Sequence, residues 1–136
     1  MVNNNANLSI RVYYEDTDSG GVVYYANYLK FIERARSELL RNLGFEQDKL
    51  ISEQNIIFAV KSLNANYLSP ARFNDLLRVQ TEVEKSRPAS LVFSQKIMSN
   101  KQNKVLFKAQ VTVACLNADS FKPCAIPSAI LEKINE

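Results

Sequence analysis

Two carboxylates and two glycines lie close together near the start of the chain. Asp16 and Asp18 precede Gly20 and Gly21, which are two of only three glycines in 136 residues. Glycine is favoured where the backbone needs a positive φ or a close approach. N–H groups at the start of a following helix are unpaired and face the positive end of its dipole. A carboxylate beside them suits attack on a carbonyl, because the resulting oxyanion can be held there.

The composition excludes several other kinds of chemistry. The chain has no histidine, which rules out histidine-based triads and histidine metal sites. Its two cysteines, Cys115 and Cys124, are too few for a four-cysteine zinc site. Cys115 falls in an alternating apolar pattern, so we expect a buried structural thiol rather than a nucleophile. We also expect the two thiols to be free, as is usual in a cytoplasmic protein.

Charge and hydropathy narrow the choice of partners. The net charge is +3, and the lysines and arginines are scattered, which favours a solvated surface over a nucleic-acid site. The same mild basic balance suits a polyanionic small ligand or an acidic carrier protein. No apolar run approaches the roughly 20 residues of a membrane span, and the N-terminus lacks a signal-peptide pattern. We therefore expect a cytoplasmic protein without membrane insertion.

One helix must carry the N–H groups that follow the Asp–Gly stretch. Between Ala26 and Leu43, apolar residues recur at three- and four-residue spacing, with charged residues on the opposite face. Gly44 follows as a C-terminal stop. A strand with a period of two, around Leu8–Val12, leads into the stretch from the other side.

Four further segments with a period of two predict an antiparallel sheet. They span Ser62–Leu68, Leu77–Glu84, Leu91–Ile97 and Val105–Cys115. Their short polar links are typical of antiparallel strands with one buried face. A short helical turn at Asp48–Gln54 precedes them, and a terminal helix with Ser128 as its N-cap follows. We expect residues 1–136 to form one α+β domain, a five-stranded antiparallel sheet wrapped around one long central helix.

The segment Tyr13–Phe31 resembles the active-site segment of hotdog-fold acyl-CoA thioesterases. It is most similar to the Tol–Pal-associated (YbgC-like) branch and to the 4-hydroxybenzoyl-CoA thioesterases. The similarity continues in Glu33–Glu38, Asn66–Phe73 and Phe121–Pro123. It implies the hotdog fold and hydrolysis of a short-chain or aromatic acyl-CoA, with no cofactor beyond the coenzyme A of the substrate. It also implies a homo-oligomer, a dimer with sites at the subunit interface that pairs into a tetramer.

The resemblance implies roles for individual residues. Asp18 corresponds to the catalytic aspartate, as nucleophile or general base, and the backbone N–H of Tyr25 corresponds to the oxyanion donor. The YbgC-like branch usually has histidine where this chain has Tyr25, whereas the 4-hydroxybenzoyl branch has tyrosine. The segment Arg87–Ser90 resembles a region that contacts the nucleotide end of coenzyme A, although it could be an ordinary turn. The residues assigned to substrate binding are Gly20, Gly21, Val22, Arg87 and Ser90.

Several of these residues have a structural alternative. Asp18 could cap the helix or stabilise the loop, and we expect Asp16 to hold the loop through backbone hydrogen bonds. The side chains of Tyr24 and Tyr25 are expected to be packing groups. Glu33, on the helix, is expected to pair with a nearby arginine.

Two other functions are open to the same fold. A non-catalytic module that binds acyl-CoA or acyl carrier protein would release no free thiol from acyl-CoA. A hydratase or dehydratase of this fold typically relies on histidine, which this chain lacks. Hydrolysis is therefore the predicted activity, and the binding module is the alternative.

Overall fold

The computed structural model describes residues 5–135. They form a single five-stranded antiparallel sheet and three α-helices. The strands are β1 (Asn5–Arg11), β2 (Ile56–Tyr67), β3 (Leu76–Ser86), β4 (Ser90–Ser99) and β5 (Lys104–Asn117). The helices are α1 (Asn27–Asn42), α2 (Gln47–Gln54) and α3 (Ser128–Ile134). The strand order β1-β3-β4-β5-β2 leaves β1 and β2 at the edges. The predicted sheet and its one long helix are confirmed.

Helix α1 packs its apolar stripe against the sheet, chiefly on β1 and β3. The buried residues of this stripe are Tyr28, Phe31, Ile32, Ala35, Leu39 and Leu40. The helix ends where predicted, since Gly44 follows and donates its N–H to the carbonyl of Arg41 at 2.9 Å. Within residues 5–135, no helix has the length and apolar character needed to span a bilayer.

Several element boundaries differ from the prediction. Strand β1 begins at Asn5, three residues before Leu8, and β3, β4 and β5 each end two residues later than predicted, because strand pairing continues through polar residues.

The largest difference is in β2. Strand β2 begins at Ile56 rather than Ser62, because its first five residues form a continuous apolar run that carries no alternation. Its pairing with β5 shifts register between Val60 and Ser62, which separates this run from the alternating half. The N-cap prediction for Ser128 is wrong: Pro127 takes that position without a side-chain bond, and Ser128 is the first helical residue.

A buried polar network fixes the middle of α1 on the sheet. Gln95, on β4, is 1% exposed, and its Nε2 donates to the carbonyl of Ile32 and to Oγ1 of Thr81, both at 2.9 Å. Nη1 of Arg36 donates to Oε1 of Gln95 at 3.0 Å. Burial lowers the pKa of the Arg36 guanidinium, and the charge of Glu33 opposes that shift. Each buried polar group of Gln95 is therefore paired, as such groups must be.

Candidate active site

The Asp–Gly stretch folds as a tight hairpin that leads directly into α1. Thr17 and Val23 form an antiparallel bridge, and the N–H of Asp18 donates to the carbonyl of Val22 at 2.9 Å. At the bend, Gly21 has φ +78° and donates its N–H to the carbonyl of Asp18 at 3.1 Å. This backbone conformation is open to glycine and strained for most other residues. The hairpin therefore depends on the glycine that the sequence provides.

Asp16 anchors the hairpin to the helix start, as predicted. Its Oδ2 accepts the N–H of Tyr13 at 2.8 Å. Its carbonyl accepts the N–H of Tyr24 at 2.9 Å and the side-chain amide of Asn27 at 2.9 Å. These bonds make the loop and the first turn of α1 one unit.

The Asp18 side chain is exposed and only partly engaged. Its Oδ1 accepts the N–H of Gly20 at 2.9 Å, and its Oδ2 has no donor among the described residues. A Cβ at position 20 would lie 3.3 Å from Oδ1, so glycine also leaves room for the carboxylate. Asp18 does not cap α1, because Ala26 is the N-cap residue. One oxygen of a fixed carboxylate thus remains open to a ligand.

The start of α1 has unpaired N–H groups. Neither Tyr25 nor Ala26 donates its backbone N–H to any residue in the range 5–135. Ala26, as N-cap, has no side-chain oxygen that could accept from the first turn. These donors sit at the positive end of the helix dipole and can bind an oxyanion.

Tyr67, the last residue of β2, is hydrogen-bonded to the turn at Tyr25 that begins α1. Its hydroxyl donates to the carbonyl of Tyr25 at 3.0 Å. Its ring meets Tyr28 and Phe107 edge-on, with centroids 5.4 and 5.0 Å away, while Tyr28 stacks on Phe107 at 5.3 Å. Burial raises the pKa of the Tyr67 hydroxyl, so it stays protonated as a donor near neutral pH. Sequence reasoning missed this role, because a tyrosine at a strand end carries no signal of where its hydroxyl goes.

The loop after β2 clamps the hairpin from the other side. Ala71 accepts the N–H of Val23 at 2.8 Å and donates its own N–H to the hydroxyl of Tyr28 at 2.9 Å. Val22 forms an isolated bridge with Arg72. Desolvation raises the pKa of the buried Tyr28 hydroxyl. The hairpin therefore cannot move without breaking bonds to a second loop.

One of the structural expectations for site residues is wrong, the one for Glu33. The side chains of Tyr24 and Tyr25 pack as expected, although at the surface: their ring centroids are 4.9 Å apart, and the Tyr25 ring meets Tyr67 edge-on at 6.3 Å. The carboxylate of Glu33 accepts the hydroxyl of Ser37 at 2.5 Å, one turn along the helix. Within residues 5–135 it makes no ion pair with an arginine.

The Arg87 turn lies far from the Asp18 hairpin within one chain. Arg87 donates its N–H to the carbonyl of Ser90 at 2.8 Å, in the connection between β3 and β4. Ser90 pairs with Ala114 of β5, whereas the helix start packs on Phe107 of the same strand. These two points are about 23 Å apart at roughly 3.3 Å per residue. The chain brings Asp18, Gly20, Gly21, Val22 and Tyr25 together and leaves Arg87 and Ser90 apart from them.

A cavity of about 430 Å³ lies between α1 and the exposed half of β2. Its apolar lining residues are Leu29, Ile32, Val60, Leu63 and Val111. Lys30, Glu33 and Arg36 also line it. An apolar cavity with a few polar groups is typical of small-molecule sites.

Comparisons with known proteins agree with this architecture. The sequence profile of the thioesterase superfamily matches residues 20–106. The chain is 47% identical over 130 residues to the acyl-CoA thioesterase YbgC of Haemophilus influenzae, covering 96% of this chain and 94% of that protein. It is 45% identical over 127 residues to the acyl-CoA thioester hydrolase YbgC of Escherichia coli O6:H1, covering 93% of each. A crystal structure of a probable thioesterase from Bartonella henselae superposes with a TM-score of 0.85 at 35% identity, over 90% of this chain and 99% of that one.

A long helix packed on a five-stranded antiparallel sheet, in the arrangement of known thioesterase structures, defines a hotdog-fold domain, and this fold class is confirmed. The chain belongs to the thioesterase superfamily and, within it, to the YbgC branch. It is therefore an enzyme of the thioester hydrolase class, as the sequence predicted. The tyrosine at position 25 does not remove it from that branch.

Proposed function

We propose that this enzyme hydrolyses acyl-CoA thioesters at the Asp18 hairpin, with the thioester oxygen bound by the N–H of Tyr25. The observation that carries the proposal is the pairing of an exposed carboxylate, open at Oδ2, with unpaired N–H groups at a helix start. The two groups belong to one hydrogen-bonded unit, so their relative position is fixed before substrate arrives. Such preorganisation is what stabilises a developing oxyanion.

The proposed chemistry needs only groups of the chain, the substrate and one water molecule. The ionised carboxylate of Asp18 attacks the thioester carbonyl or removes a proton from the water that attacks. Negative charge develops on the carbonyl oxygen and is held by the Tyr25 N–H. If Asp18 is the nucleophile, collapse of the intermediate expels the thiolate of coenzyme A and leaves an anhydride between the acyl group and Asp18, which water then hydrolyses to the acid. If water is the nucleophile, the same collapse gives the acid directly, and the proton taken up by Asp18 passes to the thiolate. Gly20, Gly21 and Val22 form the bend beside the carboxylate, and we place the thioester against it.

The cavity beside α1 is the proposed acyl site. It starts two residues into the helix, at Leu29, and is walled mainly by aliphatic side chains. A volume of about 430 Å³ suits a short-chain or aromatic acyl group. The thioester at the helix start and the acyl group along the helix then follow one continuous path.

The proposed active unit is a homodimer of a single domain spanning 1–136. Strand β2 is an edge strand, and Val60 and Leu63 on it are 54% and 42% exposed. Unpaired edges with apolar residues need covering, and a second copy would cover this one. The distance between the hairpin and the Arg87 turn is a second reason, since a partner chain could bring its own Arg87 and Ser90 to the nucleotide end of the substrate. Pairing of two dimers into a tetramer and a cytoplasmic location, where coenzyme A esters are available, complete the proposal.

Release of free thiol from a panel of thioesters tests the function. The panel contains short-chain, long-chain and aromatic acyl-CoA, and the same acyl groups on acyl carrier protein. We expect turnover with short-chain or aromatic acyl-CoA, and at least ~10²-fold slower turnover with Asp18→Asn. Binding without thiol release by the wild-type protein would instead indicate the non-catalytic binding module.

Mixing two inactive variants tests whether the site is shared between subunits. Asp18→Asn and Arg87→Ala each disable one half of the proposed site. If the halves come from different subunits, each mixed dimer has one intact site, and random exchange restores about one quarter of wild-type activity. No gain on mixing, or a monomer by sedimentation at micromolar concentration, would contradict the shared site.

A further inference from the structure

Two thiols lie side by side where β5 meets the C-terminal segment. Cys115 is fully buried in β5, as predicted, Cys124 is half-buried, and both are free. Their Sγ atoms are 3.7 Å apart. Cys124 donates its N–H to the carbonyl of Cys115 at 2.9 Å, and Leu116 forms an antiparallel bridge with Pro123. The backbone therefore holds the two cysteines opposite each other.

We propose that Cys115 and Cys124 are a reversible oxidation site that closes to an intramolecular disulfide when the protein meets a small-molecule disulfide. The sulfur atoms need to approach from 3.7 Å to about 2.05 Å. Rotation of the half-buried Cys124 side chain can provide much of this movement, because its backbone is already tied to Cys115. The proposal does not depend on thioesterase activity.

The difference in burial sets the order of the two steps. Burial raises the pKa of the Cys115 thiol to about 12, so it is a poor first nucleophile. Cys124, the more accessible thiol, attacks the oxidant RSSR as its thiolate, forming a mixed disulfide and releasing RSH. Cys115 then loses its proton and attacks the Cys124 sulfur, which forms the protein disulfide and releases a second RSH. Two protein thiols are oxidised, and one RSSR is reduced to two RSH.

The disulfide would restrain the segment Cys124–Ile126, which is hydrogen-bonded to the Arg87 turn. Ile126 donates its N–H to the carbonyl of Pro88 at 2.8 Å, and Cys115 donates its N–H to the carbonyl of Ala89 at 2.9 Å. Both acceptors lie inside the connection between β3 and β4. A covalent link between Cys115 and Cys124 therefore restrains the segment from which Ile126 holds this turn.

Oxidised glutathione, added to the full-length native protein, is the probe. We expect wild-type protein to lose both titratable thiols and the mass of two hydrogen atoms, and to recover both with dithiothreitol. Peptide mapping without reduction should join the Cys115 and Cys124 peptides within one chain. Hydrogen exchange at the Ile126 amide should slow in the oxidised form, because the segment is fastened.

Two variants separate the steps. Cys115→Ala keeps the accessible thiol and should stop at the mixed disulfide, gaining one glutathionyl group. Cys124→Ser, a change at a half-buried position, leaves the buried thiol, which should stay unmodified until the protein is unfolded in urea. Wild-type protein that stops at the mixed disulfide, links two chains, or keeps both thiols free in the native state would overturn the proposal.

Discussion

The start and the middle of α1 differ in whether the polar groups there have hydrogen-bond partners within the protein. At the start, Tyr25 and Ala26 leave their N–H groups without acceptors among the described residues, beside an exposed carboxylate on Asp18. In the middle, Gln95 is 1% exposed, and both its amide nitrogen and its oxygen are paired, with Arg36 among its partners. The start of the helix thus has hydrogen-bonding groups left for a ligand, whereas the polar groups packed against its middle are already paired within the protein.

This difference distinguishes the groups that hold the helix in position from the groups that are available to react with a ligand. A buried polar group without a partner costs about 1–3 kcal/mol, so the middle of the helix must be fully paired. An unpaired group at an exposed helix start keeps its hydrogen bond for a ligand. We therefore expect substitutions of the groups at the helix start to lower kcat while the protein stays stably folded. Substitutions of the paired polar groups in the middle should lower the free energy of unfolding while the enzyme stays active.

Removing the Asp18 carboxylate should give the largest effect. Asp18→Asn keeps the shape, and its amide oxygen can still accept from Gly20, so the hairpin should persist. Loss of the base or nucleophile should lower kcat by ~10²–10⁴-fold. Thiol release and circular dichroism measure the two properties.

Asp16→Asn is the matched control, because Asp16 uses its carboxylate to hold the Tyr13 N–H. It should act mainly through stability, with a smaller change in kcat than Asp18→Asn. Near-normal turnover by a folded Asp18→Asn protein would contradict the proposed mechanism.

A pair of changes at Tyr25 separates its backbone from its side chain. Tyr25→Pro removes the N–H, and the fixed φ of proline is compatible with a helix start. It should lower kcat by ~10²–10³-fold, the range for one oxyanion donor. Tyr25→Phe keeps the N–H and should retain kcat within a few-fold. An inactive Tyr25→Phe beside an active Tyr25→Pro would assign the chemistry to the hydroxyl instead.

A change in the middle of the helix tests the other half of the comparison. Gln95→Leu leaves Arg36, Thr81 and the carbonyl of Ile32 without their shared partner. The free energy of unfolding should fall by about 1–3 kcal/mol, while kcat stays within two- to three-fold of wild type. Urea unfolding and thiol release provide the measurements. Lys96→Ala, at the exposed neighbouring position, should change neither; a large loss of kcat in stable Gln95→Leu would break the distinction.

Sequence patterns predicted the features that depend only on neighbouring residues, namely the long helix and the bend before it. The spacing of apolar residues located α1 within one residue at each end, and Gly44 marked its stop. The Gly20–Gly21 pair marked a bend, because few other residues allow the positive φ that Gly21 adopts. The candidate loop could therefore be found from the sequence alone.

The features that the sequence did not predict depend on contacts between residues far apart in the chain. The hydroxyl of Tyr67 reaches a carbonyl 42 positions away, and no spacing rule predicts that bond. The separation of Arg87 from the Asp18 hairpin follows from the pairing of β4 with β5, which the sequence pattern does not fix. Glu33 bonds to Ser37 and not to Arg36, which is also one turn away, because the Arg36 guanidinium donates to Gln95 of β4 instead.

The smallest effect is expected for Tyr67→Phe, which keeps the ring and removes only the hydroxyl that holds the Tyr25 carbonyl. One hydrogen bond of about 0.5–1.5 kcal/mol corresponds to a roughly 2- to 13-fold loss of kcat if its energy is used to hold the turn. Stability should change little, since Tyr67 is 48% exposed and its ring contacts remain. Tyr14→Phe, at a tyrosine that is 78% exposed, is the control and should leave kcat unchanged. Because Tyr67 is proposed to act through the Tyr25 turn, Tyr67→Phe should cost nothing further in a Tyr25→Pro background. Additive losses in the double variant would show that the hydroxyl acts on the substrate by a separate route.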